Sequence, residues 1–255
     1  MKKRKKTRRN AKKKNKISKR ISSKVVPTGI ENLDRLIEGG FKEKSTNLVV
    51  GGSGSGKSIF VTQFLINGMK KRESTLYVTF EEQKIEFYSN MKKLGWDLED
   101  YENKELFTFL EYTPEKVKTM LEEGGGAIEN IILKRKVTRV VIDSISSFAL
   151  LFENELEKRE AALTLFKMIS KWNCTSLLTL EEDPTKEEPL STKSIEFESD
   201  SIIFLYFVRN KKERERYIEI IKMRGTNHSR NIYKFKIGKS GIVLDKKPTT
   251  LKLPE

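Results

Sequence analysis

The chain has 255 residues and a formal net charge of +15, a length that suits one domain with a single large core. Fourteen of its Lys and Arg lie in residues 1–24, which contain no acid, and the first carboxylate is Glu31, so the remainder is nearly neutral. A single cysteine, Cys174, excludes an internal disulfide, and the longest aromatic-aliphatic run, Ile202 to Val208, is too short to span a bilayer.

The basic arm, residues 1–24, has almost nothing apolar to bury and is expected to be disordered in isolation. A cation block this dense suits a salt-sensitive attachment to nucleic acid or another polyanion. Read blandly, it is a solubilising tail or a leader upstream of the native start. No apolar stretch follows it as in a secretory signal, and the lone thiol fits a reducing compartment. A cytoplasmic protein with no membrane attachment is therefore expected. Cys174 precedes the run Ser176-Leu177-Leu178-Thr179-Leu180 and reads as a small core residue.

After the arm, residues 25–247 read as the folded domain and 248–255 as a short tail. Val25 to Gly29 predicts a turn, and Ile30 to Ile37 a short helix ending at Gly39-Gly40. Strands are predicted at 47–51, 75–80, 105–110, 138–143 and 174–180, with helices at 57–70, 83–94, 114–123, 127–135 and 154–172. Gly124-Gly125-Gly126 separates the third and fourth of these helices. Short apolar strands alternating with helices predict a mostly parallel sheet covered on both faces, a three-layer α/β fold. The last part changes character: 201–208, 216–224, 231–237 and 241–245 read as strands joined by turns, an antiparallel extension.

The most specific motif is Gly51-Gly52-Ser53-Gly54-Ser55-Gly56-Lys57-Ser58, with the spacing G-x-x-x-x-G-K-[ST]. It follows a predicted buried strand and opens a predicted helix, the context a phosphate-binding loop requires. Glycines let successive backbone N–H groups converge on an oxyanion, and the helix start adds its positive dipole end. Lys57 is expected to reach the β/γ-phosphates and the Ser58 hydroxyl to ligate Mg²⁺. The motif predicts a bound nucleoside triphosphate.

Three further groups bear on chemistry. Arg139 to Ser144 is a hydrophobic strand ending in Asp143, an acid that can hold Mg²⁺ through a water. The strand Leu76 to Phe80 ends in Glu81 and Glu82. One of these can act as general base, while the other holds Mg²⁺ or tunes its neighbour by like-charge repulsion. Both can equally serve only to charge the first turn of the next helix. Lys222-Met223-Arg224-Gly225-Thr226-Asn227-His228 holds the only histidine. On a strand, Lys222 and Arg224 share a face, as solvated decoration or as trans-acting fingers toward a neighbour's phosphates. Such a finger is worth roughly 10³–10⁵ in rate.

In order along the chain stand Pro-Thr-Gly-Ile-Glu-Asn-Leu-Asp-Arg-Leu-Ile-Glu-Gly-Gly-Phe (27–41), the loop 51–58, Tyr-Val-Thr-Phe-Glu-Glu (77–82), Leu-Gly-Trp-Asp-Leu (94–98), Val-Ile-Asp-Ser (141–144) and Lys-Met-Arg-Gly-Thr-Asn-His (222–228). Together, over residues 25–245, they resemble a single KaiC domain of the RecA/DnaB ATPase superfamily. The resemblance implies a P-loop RecA-like fold and a hexameric ring with Mg-ATP between subunits. It implies Glu81 as general base with Glu82 beside it, and Gly54, Ser55, Gly56, Lys57, Ser58 and Ile59 around the phosphates. Lys93 matches a nucleotide contact in cis. Lys222, Met223, Arg224, Thr226 and His228 match positions that reach the neighbour's ATP, which favours the finger reading. Two departures stand out. Gly238 and Lys239 replace polar and acidic nucleotide contacts, and only one domain is present, so a circadian role does not carry over.

Three functions follow from these residues: a ring-forming ATPase that acts as a switch or regulator, a recombinase-like DNA-dependent ATPase, or a non-catalytic nucleotide-dependent scaffold. The second needs basic or polar loops facing the ring centre. After the fifth predicted strand the chain instead carries Glu181, Glu182, Asp183, Glu187 and Glu188, which repel a phosphate backbone. The carboxylate pair and the finger residues argue against the third.

Overall fold

The computed structural model describes residues 24–251, apart from 123, 125, 150, 153, 186–197 and 211–212. The arm, except Lys24, lies outside the described residues, as do Glu187, Glu188 and the last four residues of the tail.

Val25–Val26 (β1) pairs antiparallel with Phe41–Lys42 (β2), where the sequence predicts a turn. The pairing exists because the chain folds back after Gly40, which no local pattern announces. Between them, helix α1 spans only Leu33–Leu36. Its entry is tied by Asp34, whose Oδ1 accepts from the Thr28 amide and hydroxyl, both at 2.8 Å.

The alternation then runs as predicted in type: β3 (Thr46–Gly51), α2 (Lys57–Lys70), β4 (Ser74–Thr79), α3 (Lys84–Lys93), α4 (Leu98–Asn103), β5 (Phe107–Glu111), α5 (Pro114–Glu122), α6 (Gly126–Arg135), β6 (Val137–Asp143), α7 (Ile145–Ala149), α8 (Glu155–Lys171) and β7 (Thr175–Glu181). Helices α4 and α7 are additions to the predicted set. The first is started by Asp97, whose side chain accepts from the Asp100 amide, an N-cap that satisfies an otherwise orphaned donor. The last strands are β8 (Ser201–Asn210), β9 (Glu213–Met223), β10 (Tyr233–Gly238) and β11 (Gly241–Leu244).

Nine strands form one sheet in the order β11-β10-β9-β8-β3-β7-β6-β4-β5. The six from β8 to β5 are parallel, and β9, β10 and β11 continue antiparallel. This corrects one expectation: the strand predicted at 201–208 is not part of a purely antiparallel extension. It lies parallel to β3, with Asn47 opposite Ser201 and Gly51 opposite Leu205. The connection from β7 to β8 is long enough for the crossover that parallel pairing needs.

Each parallel strand alternates between two cores. Val49, Tyr77, Val141 and Leu177 face α2, packing with Phe60, Val61, Phe64 and Leu65. Leu48, Val50, Leu76, Val78, Val140, Ile142, Leu178 and Leu180 face the other way, onto Ile128 and Ile132 of α6 and Leu165, Phe166 and Ile169 of α8. Strands buried on both faces read as unbroken apolar runs, which is why they were visible in the sequence. Cys174 is buried in the second core, and burial pushes its thiol up to about 11.

Candidate nucleotide site

The site lies at the carboxyl ends of four adjacent strands, β3, β7, β6 and β4, the edge where open α/β sheets bind ligands. A cavity of about 410 Å³ opens there, lined by Ser53, Gly54, Gly56, Lys57, Ser58, Ile59, Glu81, Glu82, Asp143, Ser144, Glu181, Arg216 and Ile237.

The loop leaves β3 at Gly51 and turns through Gly54 (φ 75°) and Gly56 (φ 105°) before α2 begins at Lys57. Both angles lie in the left-handed region that favours glycine. A Cβ at Gly56 would also stand 3.1 Å from Ile237 Cδ1. Gly56 caps the helix without a side chain, so the first-turn amides, which have no acceptor within the helix, are served by no capping group. Lys57, Ser58 and Ile59 carry three of them and line the cavity.

Lys57 is buried, and its Nζ donates to the carbonyls of Gly51 at 2.8 Å and Gly52 at 3.1 Å. Burial holds its pKa below the usual lysine value, against the pull of Glu181, Asp143 and Glu81. Glu181 Oε2 is 3.9 Å from Nζ. That residue was noted in the sequence only for its charge; it lines the cavity beside Lys57.

Asp143 is held by two neighbouring strands. Tyr77 Oη donates to Oδ2 at 2.5 Å and Thr179 Oγ1 to Oδ1. Burial, then the Asp143 charge, drives the Tyr77 hydroxyl well above its ordinary pKa, which keeps it a donor. Thr79 Oγ1 accepts from the Glu81 and Glu82 amides at 3.2 and 3.1 Å. Glu81 Oε1 in turn accepts from Ser144 Oγ at 3.0 Å and from Ser147 Oγ. Glu82 stands at the cavity mouth. Partial burial of its carboxyl, then the charges of Asp143, Glu81 and Glu86, push its pKa up to about 7.

Of the residues expected at the site, the structure brings together Ser53, Gly54, Gly56, Lys57, Ser58, Ile59, Glu81, Glu82 and Asp143. Gly52 and Ser55 close the loop beneath them, the Ser55 amide donating to Gly52 O at 3.2 Å. Lys93 is not among the lining residues. It is exposed at the end of α3, with Nζ donating to Asn90 Oδ1 at 3.2 Å. Lys239, one of the departures noted above, sits on the β10–β11 turn beside Gly95, just past α3.

Lys222, Met223 and Arg224 lie at the opposite edge of the sheet. Ser201, level with Asn47 at the start of β3, pairs with Met223, whereas Leu205, level with Gly51, pairs with Ile218. Four residues along β3 and β8 separate those levels, about 13 Å. Lys222 Nζ donates to Ser199 O at 2.8 Å, and Arg224 Nη1 is 4.0 Å from Asp200. The turn after them follows at that edge, the Thr226 amide donating to Met223 O at 3.4 Å, with His228 Nδ1 2.9 Å from Ser229 O. These residues cannot reach their own chain's loop.

Several site residues had no usable signal in the sequence. Arg216 reaches the loop from β9: Nε donates to Gly54 O at 3.0 Å, and the guanidinium lies 4.3 Å over the Phe207 ring. Tyr77, Thr179, Ser144 and Ser147 hold the acids. Only the strand order makes them neighbours.

The residues present fit a Mg-triphosphate. Uncapped helix amides and a lysine suit phosphate oxygens, and the Ser58 hydroxyl with the Asp143 and Glu82 carboxylates are the hard oxygen ligands Mg²⁺ takes. Each carboxylate has about four lone-pair sites, so the two hydroxyls on Asp143 leave room for more. Among the described residues, no helix is long and apolar enough to cross a membrane.

Residues 26–249 match the family described as ATPase: KaiC. A UPF0273 protein of Thermotoga maritima is 31% identical over 234 residues, covering 87% of this chain and 96% of its own length. The circadian clock protein KaiC3 of Synechocystis is 31% identical over 225 residues, covering 85% of this chain; the chain spans only 45% of that relative's length. The crystal structure of a KaiC-like protein from Pyrococcus horikoshii is 35% identical, with a TM-score of 0.78 over 88% of this chain and 99% of that one.

Proposed function

Because this chain belongs to the KaiC ATPase family and carries its RecA-like α/β fold, we propose that it hydrolyses ATP as a ring of identical copies, a hexamer, and works as a switch or regulator. The observation that supports this reading is that two sets of candidate residues lie on opposite edges of one sheet. The phosphate loop sits at one edge, and Lys222, Arg224 and His228 at the other. Copies arranged head to tail would bring one edge against the other, and such a heterologous interface gives a ring where the rotation between copies closes.

In this reading the loop amides and Lys57 hold the triphosphate, and Glu81 takes the proton of the attacking water. Ser58, Asp143 and Glu82 would hold Mg²⁺, which when bound supplies positive charge to the phosphate oxygens. The neighbour's Lys222 and Arg224 complete the charge balance as the γ-phosphoryl departs, with Met223, Thr226 and His228 beside them.

The test combines mass by light scattering, with and without ATP and Mg²⁺, and phosphate release. ATP-dependent assembly and slow turnover are expected. Lys57→Ala and Arg224→Ala should each be inactive alone, yet regain part of the activity when mixed, because a mixed interface pairs one intact loop with one intact finger. A monomer at saturating ATP, with Arg224→Ala fully active, would overturn the proposal.

A further inference from the structure

Three serines in the stretch after Asp143 hold the ends of two flanking strands. Ser144 Oγ donates to Glu81 Oε1 at 3.0 Å, and Ser147 Oγ donates to the same oxygen. Ser146 Oγ accepts from the Glu181 amide at 2.6 Å, and Glu181 is the carboxylate beside Lys57. The short helix α7 (Ile145–Ala149) thus bridges β4 and β7 across the strand that carries Asp143. The spacing accounts for it. Residues three apart on a helical turn share a face, so Ser144 and Ser147 both point at Glu81, while Ser146 points toward β7.

We infer that Ser147 is a positioning residue for ATP hydrolysis, one that holds the Glu81 carboxylate in the orientation from which it accepts the proton of the attacking water. The inference rests on the function proposed above and deepens it. The main chain of Glu81 is already fixed through Thr79 Oγ1, but its side chain keeps its own rotamer freedom. Two hydroxyls on Oε1 remove that freedom. Among the described residues no donor reaches Oε2, which leaves that oxygen as the proton acceptor. Glu81 lines the cavity and Ser147 does not, so Ser147 acts through Glu81 and not on the nucleotide.

Ser144 follows Asp143 directly and is tied to the metal-side strand; Ser147 is the cleaner probe. Misplacing a catalytic group by about 1 Å can cost 10²-fold. Ser147→Ala should therefore lower kcat by about 10- to 100-fold while the Kd for a fluorescent ATP analogue stays at the wild-type value. Ser147→Thr, which keeps the hydroxyl, should retain most of the turnover. In a Glu81→Gln background, adding Ser147→Ala should change the residual rate by less than twofold, because residues acting as one unit are not additive.

Three results would overturn the inference: wild-type turnover in Ser147→Ala, a Thr variant as slow as the Ala variant, or a loss that multiplies that of Glu81→Gln. A purely structural serine would give the last of these, together with a lowered melting temperature. If the unmodified protein binds the fluorescent analogue but releases no phosphate, it is the proposed function that fails; turnover in the unmodified protein that Ser147→Ala leaves unchanged fails this inference alone.

Discussion

Glu82 is a carboxylic acid placed where three other carboxylates crowd it. Partial burial and the charges of Asp143, Glu81 and Glu86 raise its pKa from the ordinary 4.5 to about 7. The folded state therefore binds its proton more tightly than the unfolded chain does. Its contribution to stability is complete below about pH 4.5 and is lost as pH rises through about 7. Glu82→Gln, which cannot ionise, should melt at a higher temperature than the unmodified protein at pH 8.5, without nucleotide or Mg²⁺. The gap should shrink by pH 5.5. An equal gap at both pH values would contradict the crowding described here. Stability given up at a functional acid is a common trade, and here the acid sits where a cation would offset it.

Among the elements, helix α2 carries both the phosphate loop's exit and the packing of one core, so its seating governs the site. Arg139 of β6 fixes that seating. Its side chain is 1% exposed. Nε and Nη2 pair with Glu73 at 2.6 and 3.1 Å, and Nη1 donates to Pro27 O and Phe64 O at 3.0 and 2.9 Å. The guanidinium also lies 4.6 Å from the Phe64 ring centre. Removing one partner leaves a buried charge without its counter-ion, which costs roughly 3 kcal/mol or more. Glu73→Ala should lose about 3 kcal/mol in urea denaturation, and Arg139→Met/Glu73→Ala distinctly less, since the double change removes the buried charge as well. A double variant less stable than Glu73→Ala alone would mean that the guanidinium's bonds to the two carbonyls matter more than its charge.

For the molecule as a whole, the charge distribution sets a further expectation. The chain from residue 25 onward is nearly neutral, whereas residues 1–24 hold fourteen cations and no acid. We propose that this arm attaches the protein to nucleic acid or another polyanion, from outside the proposed ring. Binding of a DNA duplex should weaken steeply with salt, as counter-ion release requires, and should disappear in a chain starting at residue 25. Equal affinity of the two chains at low salt would refute it. DNA stimulation of phosphate release that survives the truncation would instead favour a recombinase-like motor.

Much of this was legible in the residues because it is written locally. The loop at 51–58 is a run of consecutive backbone conformations, so spacing alone locates it. Strands buried on both faces are unbroken apolar runs, and Glu81, Glu82 and Asp143 stand at their ends. The order of the strands is different, because it depends on which distant segments pack together. Only tertiary structure put β8 beside β3, brought Tyr77 and Thr179 onto Asp143, and carried Arg216 to Gly54, 162 residues away. It also sent Lys222 and Arg224 to the far edge of the sheet, since an antiparallel strand must run away from the loop that its parallel neighbour approaches.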